Sequence, residues 1–320
     1  MMALSKVDKI WMNGKWVAWD DAKIHVLSHV AHYASSVFEG IRAYENKNGV
    51  SIFRLDEHVD RLIHSARVYR LDTKPGYKFT RAEIRQACID VVAVNDLKDC
   101  YLRPLIYRGY ENLGVNPYGN PVDVCIAAFP WGKYLGDEAL VKGVAVKVSS
   151  WWRMAPNTLP AMAKASANYM NSQLIKMEAL EDGYAEGIAL DHNGFVSEGS
   201  GQNLVAVIKG ELVTPPLASS ILAGITRDSV LTIARDLGIP AREAVMPREM
   251  LYMADELFFV GTAVEVSPIT SVDRITVGGG ERGPVTKRIQ DTYFGILRGD
   301  LPDRYGWLTP VAAGAPARGR

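Results

Sequence analysis

The chain has 320 residues, enough for about two domains with sizeable cores, and its 48% hydrophobic and 22% charged content is that of a globular protein. Basic and acidic side chains balance at 36 each, so no net field marks the chain for nucleic acid or an anionic membrane. Cys88, Cys100 and Cys125 form no close pair, which argues against a disulfide scaffold or a thiolate metal site and suits a reducing compartment. "IWMNGKWVAW" (10–19) alternates aromatic and polar residues around Asn13-Gly14 and predicts a hairpin. "HVLSHVAH" sets His25, His29 and His32 at i, i+4 and i+7; a helix would put them on one face, where they could ligate a metal. No carboxylate or cysteine stands near to complete such a site, so a structural role is expected and no metal.

"GIRAYENKNGVSIFRL" (40–55) predicts a second hairpin near Asn48-Gly49. In 55–71, Leu55, Val59, Leu62, Ile63, Ala66 and Tyr69 share one helical face. The helix at 80–95 has Thr80 at its N-cap and Glu83 three residues on. Strands follow at 99–108 and 122–129, and then "FPWGKYLGDEA" breaks the pattern with Pro130, Gly132 and Gly136. Beyond it, strands are expected at 143–149, 185–190, 203–208 and 256–266, with helices near 168–182, 226–237, 247–253 and 284–298. The expectation is an α/β (α+β) chain of two domains: a small N-terminal domain at 1–130, a loop at 131–138, a larger domain at 139–310 and a disordered tail at 311–320. The N-terminus lacks the apolar core of a signal peptide and no apolar run reaches membrane-spanning length, so cytoplasmic placement is expected.

Chemistry gathers at four places. "LPAMAKASANY" (159–169) sets Lys164 among small residues, with Tyr169 five positions on. Either Lys164 is an exposed lysine on an alanine-rich turn, or burial favours its neutral amine for carbonyl chemistry. "GFVSEGSGQNL" (194–204) carries Glu198, either a solvated loop carboxylate or one held against a cationic cofactor ring nitrogen. "LAGITRDSV" (222–230) places Gly224 and Thr226 at a helix start, which reads equally as an anion site or a plain N-cap. "VGTAVE" (260–265) offers a second small, hydroxyl-bearing turn that could take a phosphate from another side. "GGGERGPVTK" (278–287) lacks the ending of a phosphate loop and reads as a structural turn.

Eight ordered stretches, "SVFEGIRAY", "RPLIYRG", "AAFPWGKYLG", "APNTLPAMAKASANY", "GYAEGIALDHNGFVSEGSGQN", "GITRDSV", "VGTAVEV" and "GPVTKRIQ", give the chain a resemblance from about residue 8 to residue 308. It resembles the branched-chain amino-acid aminotransferases, the fold type IV group of pyridoxal-phosphate enzymes. The resemblance implies the two-domain architecture of D-amino-acid aminotransferase-like folds. It makes Lys164 the catalytic Schiff-base lysine, Glu198 the partner of the pyridine nitrogen, and Tyr169 the partner of the ring's phenolic oxygen. Arg61, Thr226, Thr262 and the backbone of Ile225 would bind the phosphate of pyridoxal 5'-phosphate, with Leu222 and Gly224 completing the cofactor set.

For substrate, the same resemblance implies an apolar pocket of Tyr33, Phe38, Tyr101, Trp131 and Tyr134 with Gly40. Tyr101 and the Thr262-Ala263 backbone would take the α-carboxylate. Arg103 lies two residues after Tyr101 on an apolar strand, so the two share a face. It would bind the distal carboxylate of glutamate, against the plainer reading of a strand-end arginine. The implied reaction moves amino groups between leucine, isoleucine or valine and 2-oxoglutarate, in a homodimer or an assembly of dimers. D-amino-acid transaminases, R-selective amine transaminases and aminodeoxychorismate lyases share the lysine, glutamate and phosphate cup. "FEGIRAY" and "YLRPLIYRG" favour the branched-chain enzymes.

Overall fold

The computed structural model describes residues 4–72, 76–132 and 138–312. They fall into two compact units: the described residues of Met1–Gly132, Ala163–Ala167 and Ile296–Arg320, and those of Lys133–Met162 and Asn168–Gly295. A single cut at 131–138 therefore does not reproduce the division. Ala163–Ala167 joins the first unit because its backbone extends a strand edge there. The Phe38 amide donates to the Lys164 carbonyl (3.0 Å), the Ser166 amide donates to the Ser36 carbonyl (3.0 Å), and Val37 bridges Ala165.

In the first unit the chain forms β1 (Lys9–Met12), β2 (Lys15–Ala18), α1 (His29–Tyr33), β3 (Ser36–Phe38), β4 (Ile41–Asn46), β5 (Gly49–Phe53), α2 (Leu55–Val68), α3 (Arg81–Val94), β6 (Cys100–Arg108) and β7 (Val122–Pro130). The first hairpin turns where both Asn13 (φ 46°) and Gly14 (φ 82°) are left-handed, the backbone that a two-residue turn between twisted strands requires. The sheet runs terminal strand, β5, β4, β6, β7, β1, β2, with β3 paired to β6. That terminal strand, Leu308–Val311, pairs Val311 with Val50. The expected disordered tail thus begins too early, because a long-range partner orders residues that look like punctuation; 313–320 lie outside the described residues. Val59, Leu62 and Ala66 of α2 and Ile84, Val91 and Val92 of α3 bury themselves with Ile41, Ile52, Leu102 and Ile126 of the sheet. The Glu83 amide donates to the Thr80 hydroxyl (3.1 Å), capping α3.

The second unit comprises α4 (Ala139–Lys142), β8 (Val144–Val148), α5 (Asn168–Glu181), β9 (Glu186–Leu190), β10 (Val196–Gly199), β11 (Asn203–Ile208), β12 (Glu211–Thr214), α6 (Ile225–Asp236), β13 (Ala241–Glu243), α7 (Met250–Met253), β14 (Glu256–Gly261), β15 (Glu265–Val272), β16 (Ile275–Thr276) and α8 (Pro284–Leu297) as far as Gly295. Its sheet runs β10, β9, β8, β15, β14, β11, β12, β13, with β16 on β15. β8 lies parallel to both its neighbours, and the sheet is accordingly mixed. Central strands such as β9 and β14 are apolar and almost wholly buried, as strands covered on both faces must be. The helix expected at 247–253 shrinks to the single turn of α7, preceded by a turn in which the Met250 amide reaches the Pro247 carbonyl (3.0 Å). Both units are α/β.

Candidate active site

In the first unit, Lys164 is half-buried between Ala163 and Ala165, which are 3% and 1% exposed. Its amide donates to the Ser65 hydroxyl on α2 (3.0 Å), so the segment is pinned to α2 as well as to β3. Its Nζ lies 5.2 Å from the centre of the Phe38 ring. The guanidinium of Arg103 stands over the same ring (4.8 Å) and over Tyr101 (5.3 Å), and the Tyr101 and Trp131 rings are 5.1 Å apart. Gly40 belongs to this group for a steric reason: a Cβ there would collide with the Tyr101 hydroxyl. Lys164, Phe38, Gly40, Tyr101, Arg103 and Trp131 therefore form one connected group drawn from four stretches of the chain. Tyr33 stands apart, 40% exposed with its ring on His29 (4.5 Å). Tyr134 lies outside the described residues.

Arg61 does not present itself as a solvated helix residue. Its Nε and Nη2 donate to the two oxygens of Glu39 (2.7 and 2.9 Å), and His58 Nδ1 makes a third contact to that carboxylate (2.7 Å). Burial opposes a charge on Glu39, yet Arg61 and then His58 overcome it and hold the carboxyl well below the usual carboxylate range. Burial pushes the His58 pKa down against the pull of Glu39, and facing an ionised carboxylate its Nδ1 carries the proton of that contact.

In the second unit Glu198 ends up in β10 and is 5% exposed, not a solvated loop carboxylate. It accepts from Arg153 Nη2 (2.9 Å), Asn203 Nδ2 (2.9 Å) and the Leu222 amide (3.1 Å). Asn203 also donates to the Leu222 carbonyl (3.0 Å), and a Cβ on Gly224 would strike the Asn203 side-chain oxygen. This close approach leads into α6, whose N-cap Gly224 has no side chain to cap it, and a helix start of this kind directs backbone N–H groups along its axis. Thr226, 2% exposed, adds a hydroxyl in that turn. Thr262 and Ala263 sit half-buried in the turn between β14 and β15, and Tyr169 half-buried in the first turn of α5. Gln202 packs beside Gly261, and its buried Nε2 has no hydrogen-bond partner among the described residues. This set of groups suits a phosphorylated ring: a helix start with a hydroxyl for the phosphate, and a buried carboxylate for a protonated ring nitrogen.

Sequence reasoning missed Glu39 and Arg153. Each is a charged residue in an apolar stretch, "SVFEGI" and "SSWWRMAP", and that is the only local signal either gives. The histidines have structural partners: His29 contacts Ser35 Oγ (2.7 Å) and the Gly114 carbonyl (2.9 Å), His32 contacts the Val26 carbonyl (3.0 Å), and His25 lies outside α1 against Tyr110. Burial pushes the thiols of Cys100 and Cys125 up to about 12, so neither offers a thiolate.

A family model described as amino-transferase class IV matches residues 36–272. The chain is 52% identical, over 97% of its own length and 99% of the relative's, to the branched-chain-amino-acid aminotransferase of Salmonella typhimurium. The crystal structure of the branched-chain amino acid aminotransferase of Escherichia coli matches with a TM-score of 0.93 at 52% identity, covering 96% of this chain and 100% of that one. A branched-chain amino acid aminotransferase from T.th., complexed with N-(5'-phosphopyridoxyl)-L-glutamate, matches at 0.90 and 45% identity, covering 96% and 99%.

Proposed function

The chain belongs to the amino-transferase class IV family, and from that premise we propose that it transfers amino groups between branched-chain L-amino acids and 2-oxoglutarate. The products are branched-chain 2-oxo acids and L-glutamate, and the cofactor is pyridoxal 5'-phosphate. The names of the relatives support the aliphatic substrate, and the glutamate adduct of the T.th. enzyme supports the second one. One observation in this chain carries the reading: the Phe38 ring bears both Lys164 (5.2 Å) and Arg103 (4.8 Å). The amine for the chemistry and a cation for a substrate carboxylate thus share one apolar wall.

Arg61, Thr226, Thr262 and the Ile225 amide would hold the phosphate, with Leu222 and Gly224 beside them; Tyr169 would meet the phenolic oxygen. When bound, the cofactor supplies an electron sink for the pair left on the substrate α-carbon. Glu198, locked by three donors, holds a proton at the ring nitrogen. The Lys164 amine would take the proton from the α-carbon and deliver it to the cofactor carbon on the other side of the transferred nitrogen. Phe38, Gly40, Tyr101 and Trp131, with Tyr134, would enclose a branched side chain and exclude water, and Tyr33, which stands apart from them in this chain, would join such a site only across the proposed dimer. Tyr101 and the Thr262-Ala263 backbone would orient the α-carboxylate. Arg103 supplies the charge that a distal carboxylate needs in an apolar setting, where an unpaired charge is costly.

A cytoplasmic homodimer, or an assembly of dimers, completes the proposal. Exposed Val26, Leu27, Leu113, Val115 and Tyr118 support it, since apolar exposure of this extent favours a partner. Among the described residues no helix is long and apolar enough to cross a membrane. The test is a half-reaction. Adding L-leucine to the cofactor-loaded protein without an oxo acid should abolish the visible band of the cofactor and release one equivalent of oxo acid; 2-oxoglutarate should restore the band. Conversion of D-leucine or a simple R-amine in place of L-leucine would overturn the assignment.

A further inference from the structure

We infer that Glu39 is a positioning residue: it orients the Arg61 guanidinium so that the edge bearing Nη1 meets the cofactor phosphate. The inference rests on the proposed role of Arg61 as a phosphate ligand. Glu39 is 0% exposed and follows Phe38, the residue whose amide is bonded to the Lys164 carbonyl. Its own amide donates to the Pro104 carbonyl (2.9 Å), so its backbone is fixed on both sides. Its carboxylate takes the Nε and Nη2 donors of Arg61 (2.7 and 2.9 Å), and such two-point pairing sets the plane of the guanidinium as well as its distance. The Nη1 edge is thereby directed away from Glu39.

His58, Arg61 and Ser65 are spaced by three and four residues on α2 and lie along one face of it. His58 Nδ1 braces the same carboxylate (2.7 Å), while Ser65 receives the Lys164 amide (3.0 Å). One helix face therefore fixes the arginine and the lysine segment together. Charge alone would not select this arrangement. A carboxylate on Arg61 reduces the pull of the guanidinium on a phosphate, so a site built only for attraction would leave Glu39 out. Orientation is what the pair supplies in return.

The two contributions predict opposite signs, and that makes the test sharp. Full-length apoprotein is titrated with pyridoxal 5'-phosphate and with pyridoxal, which lacks the phosphate; the ratio of the two affinities measures phosphate recognition alone. Glu39→Gln should lower the ratio by about tenfold or more, the scale of a lost charged hydrogen bond, and leave pyridoxal binding unchanged. Arg61→Gln should lower it at least as far, and adding Glu39→Gln to that variant should change it little, because both act through one interaction. A ratio that holds or rises in Glu39→Gln while Arg61→Gln lowers it would overturn the inference and spare the phosphate role of Arg61. A ratio untouched by Arg61→Gln would overturn that role and the inference with it. Equal losses for both ligands in Glu39→Gln would mark Glu39 as merely structural. If Glu39→Gln does not fold, His58→Phe removes one brace and should lower the same ratio by roughly two- to threefold; an unchanged ratio there counts against the inference.

Discussion

Each unit contains a buried arginine–carboxylate pair, and the proposed roles are exchanged between them. In the first, Arg61 is the proposed ligand and Glu39 the support; in the second, Glu198 is the proposed ligand and Arg153 the support. The supporting member is in both cases at least as buried as its partner, Glu39 at 0% against 13% and Arg153 at 5% against 6% in side-chain exposure. Burying such a pair is rarely the most stable solution available to a fold. Its recurrence fits a demand for direction: a flexible charged side chain becomes a fixed one when two of its donors or acceptors are already committed.

The largest expected effect comes from breaking the second pair from each side. Arg153→Met leaves Glu198 buried and without its cation, and should cost about 3–5 kcal/mol of stability by denaturant melting. Glu198→Gln keeps the shape and should instead cost rate, about a hundredfold or more in single turnover with L-leucine, while the cofactor still binds. If Glu198→Gln kept its rate and lost its stability, the roles within the pair would be reversed. Next in size is Arg103→Met. It should weaken glutamate and 2-oxoglutarate by about 1.5–3 kcal/mol relative to leucine, read by single-turnover kinetics with each substrate. Equal losses for both would assign Arg103 to the α-carboxylate or to structure. Smallest is Thr80→Ala, which removes the cap of α3 away from either pair. About 1 kcal/mol of stability should go, with both half-reactions intact; a changed substrate preference would show that the helix frame itself tunes the site.

How far the sequence discloses all this depends on the range of the interaction. Asn13-Gly14 and the Thr80 cap are local turn chemistry, legible from a few residues, and the structure has them where expected. Leu308–Val311 is not legible, because what orders it is β5, far back in the chain. The same holds for the site. Leu222, Gly224 and Thr226 lie close in sequence and announce a helix start, and Glu198 is singled out by the Gly/Ser-rich stretch around it. Lys164 is ambiguous alone: what distinguishes it from an exposed lysine is Phe38 beneath it and Ser65 behind it, which only the fold, or a family resemblance, supplies. Glu39 and Arg153 stay hidden because their partners are 22 and 45 residues away, and a lone charge in an apolar stretch does not say which partner it meets.

The most direct test of the account is covalent. Cofactor-loaded protein reduced with borohydride, digested and mapped by mass spectrometry should carry the phosphopyridoxyl group on Lys164 alone. Lys164→Ala should take up no label and should lower the transamination rate by about a thousandfold or more, since the same amine is proposed to move the proton. A label on any other lysine of the wild-type chain, or none, would contradict the account at its centre.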